Sequence, residues 1–137
     1  DFIIVDMPPG TGDTQLTFSQ EIKMDGAIIV STPQEVALLD VKRGIKMFDK
    51  LGVKILGLVD NMSFFIGDDN KKYHIFGEGG VRKTAEEFKK EFLGEIPIHT
   101  DIGKSGDNGK PIVEENSEHE ISKIYLNFAE KIKSFYL

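Results

Sequence analysis

The first residue placed to do chemistry is Asp6, which closes the apolar run Phe2-Ile3-Ile4-Val5 and precedes Met7-Pro8-Pro9-Gly10-Thr11-Gly12-Asp13. A run that is apolar without alternation suits a parallel strand covered on both faces, and the carboxyl end of such a strand is where ligands of open α/β sheets gather. A carboxylate there can hold Mg2+ through water, while the N–H of Gly10, unobstructed by a side chain, can approach a terminal phosphate. Taken alone, Asp6 fits a carboxylate capping its own turn equally well. Other candidates are weaker. His74, His99 and His119 stand in unrelated segments with no pairing at helical ligand spacing, so no metal set is expected from them. Asp68-Asp69-Asn70 lacks the further ligands of a calcium loop and reads as a solvated hairpin tip.

These residues need a scaffold, and the hydrophobic pattern supplies one. Besides Phe2–Val5, the runs Ala27–Val30 and Ile55–Val59 are expected as parallel strands, with a fourth strand from Phe92 to Glu95. A helix is expected over Pro33–Leu51, with Ala37, Val41, Ile45 and Phe48 on one face, Thr32 as N-cap, Glu35 completing a capping box and Gly52 as the stop. Further helices are expected over Gly80–Glu91 and Ser117–Phe135, the second with a Ser117/Glu120 capping box. Phe65–Tyr73 and Thr100–Lys110 read as loops or hairpins. Strands alternating with helices predict an α/β fold, a mostly parallel sheet flanked by helices.

Composition narrows the functions. The chain has 137 residues, 39% of them hydrophobic, enough for one real core. Its net charge of −6, with lysines scattered, offers no basic stripe for nucleic acid or an anionic membrane. No apolar run approaches membrane-spanning length and no signal-like segment is visible, so a cytoplasmic location is expected. Cysteine is absent, which removes disulfides, thiolate nucleophiles and cysteine-ligated metals from this chain. Asp1 leads straight into an apolar run without an initiator methionine, the pattern of a truncated sequence.

The string from Asp6 to Asp13 as a whole resembles the switch segment of the Mrp family, iron–sulfur cluster carrier ATPases related to MinD and ParA. Further matches follow in order: Ser31 to Asp40, Arg43-Gly44, Gly57 to Asn61-Met62-Ser63, Phe76-Gly77 with Gly79-Gly80, and Leu93-Gly94-Glu95-Ile96-Pro97. Together they reach to about Val113. The resemblance implies that residues 1–137 are the C-terminal portion of a single P-loop ATPase domain whose phosphate-binding loop and lysine lie upstream, leaving this chain nearly inactive alone.

The same resemblance makes Asp6 the Walker B carboxylate that organises Mg2+ through water, and Gly10 the γ-phosphate sensor of a switch. It implies that Asn61 reads the adenine edge of ATP, the alternative being an asparagine bonded to its own turn. Pro97 would pass beside the base. Asp40 and Arg43 would couple the switch to a partner subunit in a homodimer, the alternative being a solvated intrahelical ion pair of about 0.2–0.5 kcal/mol. The family's activity would be Mg2+-dependent ATP hydrolysis in support of iron–sulfur cluster assembly or transfer to apoprotein clients. A positioning or partitioning ATPase of the ParA/MinD kind and a non-enzymatic interaction module are the alternatives. One departure counts against a bound 4Fe-4S cluster. Where Mrp proteins commonly carry Cys-x-x-Cys, this chain reads Phe65-Ile66-Gly67-Asp68-Asp69-Asn70-Lys71-Lys72-Tyr73, and hard carboxylates do not replace soft thiolates.

Overall fold

In the computed structural model, residues 2–8 and 12–137 are described. The elements run α1 (Asp13–Glu21), β1 (Ala27–Ser31), α2 (Glu35–Leu51), β2 (Ile55–Ile66), β3 (Lys72–Tyr73), α3 (Gly80–Glu87), β4 (Phe92–Ile98), α4 (Thr100–Asp107), α5 (Ile112–Glu115) and α6 (Glu120–Ser134). β2 is the middle strand. It pairs in parallel with β1 on one edge and β4 on the other, and its far end folds back antiparallel onto β3.

Strand alternation divides the core into two layers. Leu58 packs on one face with Val41 and Ile45 of α2 and Val81 and Ala85 of α3. Val59, Leu93 and Ile96 point to the other, where Phe128 and Ile124 of α6 and Ile102 of α4 cover them. With helices on both faces, the near-continuous apolar runs of the strands are explained, and the expected α/β class holds. Two glycines permit the close approaches. A Cβ on Gly57 would lie 2.6 Å from Leu93 Cγ and 3.0 Å from Glu91 O, and one on Gly94, at φ +148°, would lie 2.8 Å from the Phe128 ring.

Several boundaries differ from expectation. Phe2–Val5 forms no strand; its side chains are exposed, Ile3 by 92%, and it pairs with none of the described strands, although β1 and β4 each keep one edge unpaired among the described residues. α2 begins after Gln34 without a side-chain cap, the Thr32 hydroxyl turning to Gln34 Oε1 instead, whereas Gly52 ends it in the left-handed conformation as expected. α3 stops at Glu87 rather than Glu91, since Lys89 takes a positive φ and Lys90 N–H bonds back to Ala85 O. The Ser117/Glu120 box is replaced by His119, whose Nδ1 accepts from Ile121 N–H.

Elsewhere the structure has more order than the sequence suggests. Thr100–Lys110 is largely helix α4, capped by His99 and anchored by Ile102. The three glycines of the stretch, Gly103 and Gly106 within the helix and Gly109 after it, made it read as a loop. β2 and β4 run past their expected ends to Ile66 and Ile98. Phe65–Tyr73 is a hairpin, with Asp69 accepting from Lys71 N–H and from the Tyr73 hydroxyl at its tip.

Gly57→Ala therefore tests the β2–β4 contact. The added methyl should destabilise the chain by about 1–3 kcal/mol, read as a lower urea midpoint with the m-value retained; an unchanged midpoint would show that Leu93 yields freely.

Candidate functional site

The carboxyl ends of β1, β2 and β4 meet along one edge of the sheet, in register through Ser31↔Asp60, Asp60↔Glu95 and Asn61↔Ile96. Between Asn61 and Phe65 the β2–β4 ladder slips. The slip has a visible cause. Met62 adopts φ 55°, and its N–H donates to Asn61 Oδ1 at 3.0 Å. Asn61 thus holds its own turn, the second of the two sequence readings, while no bond engages its amide nitrogen among the described residues. Ser63 then re-ties the strands by donating to Ile96 O.

Pro97 lies beside this edge, buried in β4. β4 pairs only with β2 among the described residues and the register passes from Ile96 to Ile98, so the missing proline N–H removes no ladder bond there. Asn61 and Pro97 are therefore brought to one edge on neighbouring strands. Of the other described candidates, none is on these strand ends. Asp6 is exposed in the unpaired segment before α1, which Gln15 of α1 ties down by donating to Pro8 O. Gly10 lies outside the described residues. Asp40 and Arg43 form a solvent-exposed pair at 3.0 Å on α2, the geometry of an intrahelical ion pair.

Sequence reasoning passed over Asp60. It is 0% exposed, and neither carboxylate oxygen has a hydrogen-bond partner among the described residues. Burial is the main reason its pKa rises to about 6, the Glu95 carboxylate adding to the rise while His74 and Arg82 oppose it. The only signal in the sequence was a carboxylate directly after the buried run Ile55–Val59, next to Asn61.

The histidines require a correction. His99 and His119, expected to stand apart, are brought ring to ring at a centroid distance of 5.3 Å, with Asp101 between them. The cause is tertiary. Each histidine caps a helix, and the N-termini of α4 and α6 converge. Only His74 stays apart, its ring 3.1 Å from Ser63 O.

Comparison with known proteins decides the family. The ParA family profile, described as NUBPL iron-transfer P-loop NTPase, matches residues 1–133. The chain belongs to this family. It is 47% identical over 134 residues to an iron-sulfur cluster carrier protein of Synechocystis, covering 96% of this chain and 38% of that protein. It is 47% identical over 133 residues to the mouse iron-sulfur cluster transfer protein NUBPL, covering 96% of this chain and 42% of the relative. The chain thus spans about two-fifths of the length of these curated relatives.

Among solved structures, a nucleotide-binding protein from Archaeoglobus fulgidus in complex with ADP, with cobalt, aligns at TM-score 0.71 and 39% identity over 84% of this chain and 46% of that one. MinD from Pyrococcus furiosus aligns at TM-score 0.73 over 98% of this chain and 52% of its own, at 23% identity, a likeness of fold. The α/β sheet described above is accordingly that of MinD/ParA-like P-loop NTPases.

Asp60 has a pH signature. A carboxyl raised from 3.8 unfolded to about 6 folded favours the folded state fully below pH 4, and that contribution is lost as pH rises through 6. Asp60→Asn should therefore match the parent near pH 4 and exceed it at pH 7.5 by on the order of 2–3 kcal/mol, measured by urea unfolding across that range. A variant less stable than the parent at pH 7.5 would mean that the carboxylate is anionic and paired.

Proposed function

We propose that this chain is the nucleotide-responding, C-terminal portion of a Mg2+-dependent P-loop ATPase that assists iron–sulfur cluster assembly or transfer to apoproteins. The observation that carries the reading is the family match over residues 1–133 together with relatives named as cluster carriers at 47% identity. In this reading the phosphate-gripping loop and its lysine belong to the length of the relatives that this chain does not span. Asp6 orders the water shell of Mg2+, and Gly10 senses the γ-phosphate. Asn61 offers its free amide nitrogen to the adenine edge while Oδ1 keeps the turn that presents it, and Pro97 lines the base from the neighbouring strand. Water is the nucleophile, with catalysis resting on positioning and charge stabilisation.

The protein acts as a cytoplasmic homodimer in which Asp40 and Arg43 couple the switch to the other subunit. The clients are iron–sulfur apoproteins, and thiolate ligands for a cluster come from outside this cysteine-free chain. The exposed hairpin, with Phe65, Ile66 and Tyr73 on its surface, occupies the place where the resemblance puts the cysteine pair.

Turnover, variant kinetics and cluster reconstitution test the proposal. The purified chain alone should show no ATP turnover. The full-length protein should hydrolyse ATP with Mg2+, and Asp6→Ala should lower its kcat by roughly 10²–10³-fold, in the range for loss of one electrostatic stabiliser. Asn61→Ala should raise KM for ATP by roughly tenfold, about 1.4 kcal/mol, and erode preference over GTP. Turnover by the isolated chain, or unchanged kinetics in both variants, would refute the residue assignments. Anaerobic reconstitution with iron and sulfide, followed by visible absorption and transfer to an apoprotein, tests the carrier role separately.

A further inference from the structure

We propose that His99, Asp101 and His119 form a binding site for one borderline divalent transition-metal ion, of the Zn2+ or Co2+ class, apart from the proposed nucleotide site. One ligand atom from each residue lies within 4.8 Å of the other two. Asp101 Oδ2 stands 3.4 Å from His119 Nε2 and 3.7 Å from His99 Nδ1. These separations exceed the roughly 2.9 Å of an ordinary N–H···O bond. They approach the edge of a coordination tetrahedron, about 3.3–3.4 Å when the metal–ligand bonds are about 2.0–2.1 Å. The third edge, between the two imidazoles, is within 4.8 Å and must shorten when an ion binds.

The surroundings match the needs of such an ion. Two imidazoles and one carboxylate favour zinc-like metals over the oxygen-seeking Mg2+ and Ca2+. All three residues are half-buried, so their positions are set by packing. Lys104 reaches Asp101 Oδ1 at 3.5 Å, leaving Oδ2 to face the rings. Glu120 Oε1 lies 3.8 Å from His99 Nε2, placed to accept that N–H while Nδ1 binds the metal, the usual outer partner of a ligating histidine. A cleft of about 330 Å³, lined by Asp101, Ser105, Asn116 and His119 among others, gives the fourth position room for water.

Two features oppose the ion, and both fix how the site must work. The converging N-termini of α4 and α6 carry partial positive charge, which the first-turn carboxylates Asp101 and Glu120 offset. Both Nδ1 atoms accept backbone N–H bonds in the structure, from Asp101 and Ile121. Binding diverts the His99 Nδ1 lone pair from that bond to the metal. In His119 the proton moves from Nε2 to Nδ1, releasing the Ile121 N–H. The site therefore exchanges two helix caps for metal bonds, and occupancy loosens the first turns that the histidines otherwise hold.

Calorimetry with Zn2+ and visible spectroscopy with Co2+, on the purified chain without nucleotide at pH 7.5, test this. One equivalent should bind, with the intense visible bands of tetrahedral Co2+. His119→Asn and His99→Asn keep an N-cap acceptor while deleting the imidazole. Each, like Asp101→Asn, should weaken binding at least ~10-fold with far-UV circular dichroism unchanged, whereas His74→Asn should bind as the parent does. No saturable binding by the parent chain, or affinity held within about twofold in both His119→Asn and Asp101→Asn, or loss in His74→Asn, would overturn the site.

Discussion

The fold depends on β2 being paired in parallel along both of its edges. A strand flanked in this way has no backbone group left for water, so both of its faces must be apolar and covered. Its residues from Ile55 to Asp60 are all buried. The lateral fit is set at Gly57, where the leucine of β4 occupies the space a side chain would take. From that alignment follow the positions of α2 and α3 on one face and α6 on the other, because each helix inserts its apolar stripe against the alternate residues of β2, Leu58 or Val59. Gly94 repeats the device one strand over, admitting the Phe128 ring against β4.

The same strand ends by breaking its own regularity. Past Asp60 the ladder slips, Asn61 binds the N–H of Met62, and the chain leaves toward the hairpin. A regular strand would consume every backbone group at this edge, whereas the slip leaves polar groups to be used by something other than the sheet. Asp60 shows what this costs. Its carboxylate is carried into the interior by the alternation that buries Leu58, opposite Glu95 and without a donor among the described residues. A buried group so poorly satisfied is tolerated where the local arrangement serves a further purpose, and strand ends of open α/β sheets are where such purposes concentrate.

Legibility in the sequence followed the range of the interactions. β1, the first half of β2, α2 and the stripe of α6 were readable because apolar periodicity is a local record of a two-faced burial. Phe2–Val5 carried the same record yet pairs with no described strand, since an apolar run records a preference for burial and not which neighbour will pair with it. α4 was hidden for the opposite reason. Its glycines lower its own propensity, and what stabilises it is the His99 cap together with Ile102 in a core built by β4 and α6. The ordered motifs pointed to the family, since several backbone-specific residues at fixed order are hard to produce by chance. The meeting of His99 with His119, twenty residues apart, depended on the convergence of two helix ends that no local pattern encodes.

The cysteine-free hairpin limits what this chain can offer a cluster, and the limit is chemical. Iron in a cluster is held by thiolates, soft donors that bind as anions. The hairpin tip supplies carboxylates, and the best placed of them is already committed. Asp69 accepts from Lys71 N–H and the Tyr73 hydroxyl, and these bonds hold its pKa below the ordinary carboxylate value. That carboxylate shapes the turn. Lys71 pairs with the same carboxylate at 3.6 Å, and beneath it Lys72 lies over the Phe64 ring at 4.1 Å, so the cations of the hairpin are likewise engaged within it. A hairpin stabilised by its own charged groups remains rigid without a cluster to bridge it. Phe65, Ile66 and Tyr73 stay exposed on it, and none of them is a soft donor.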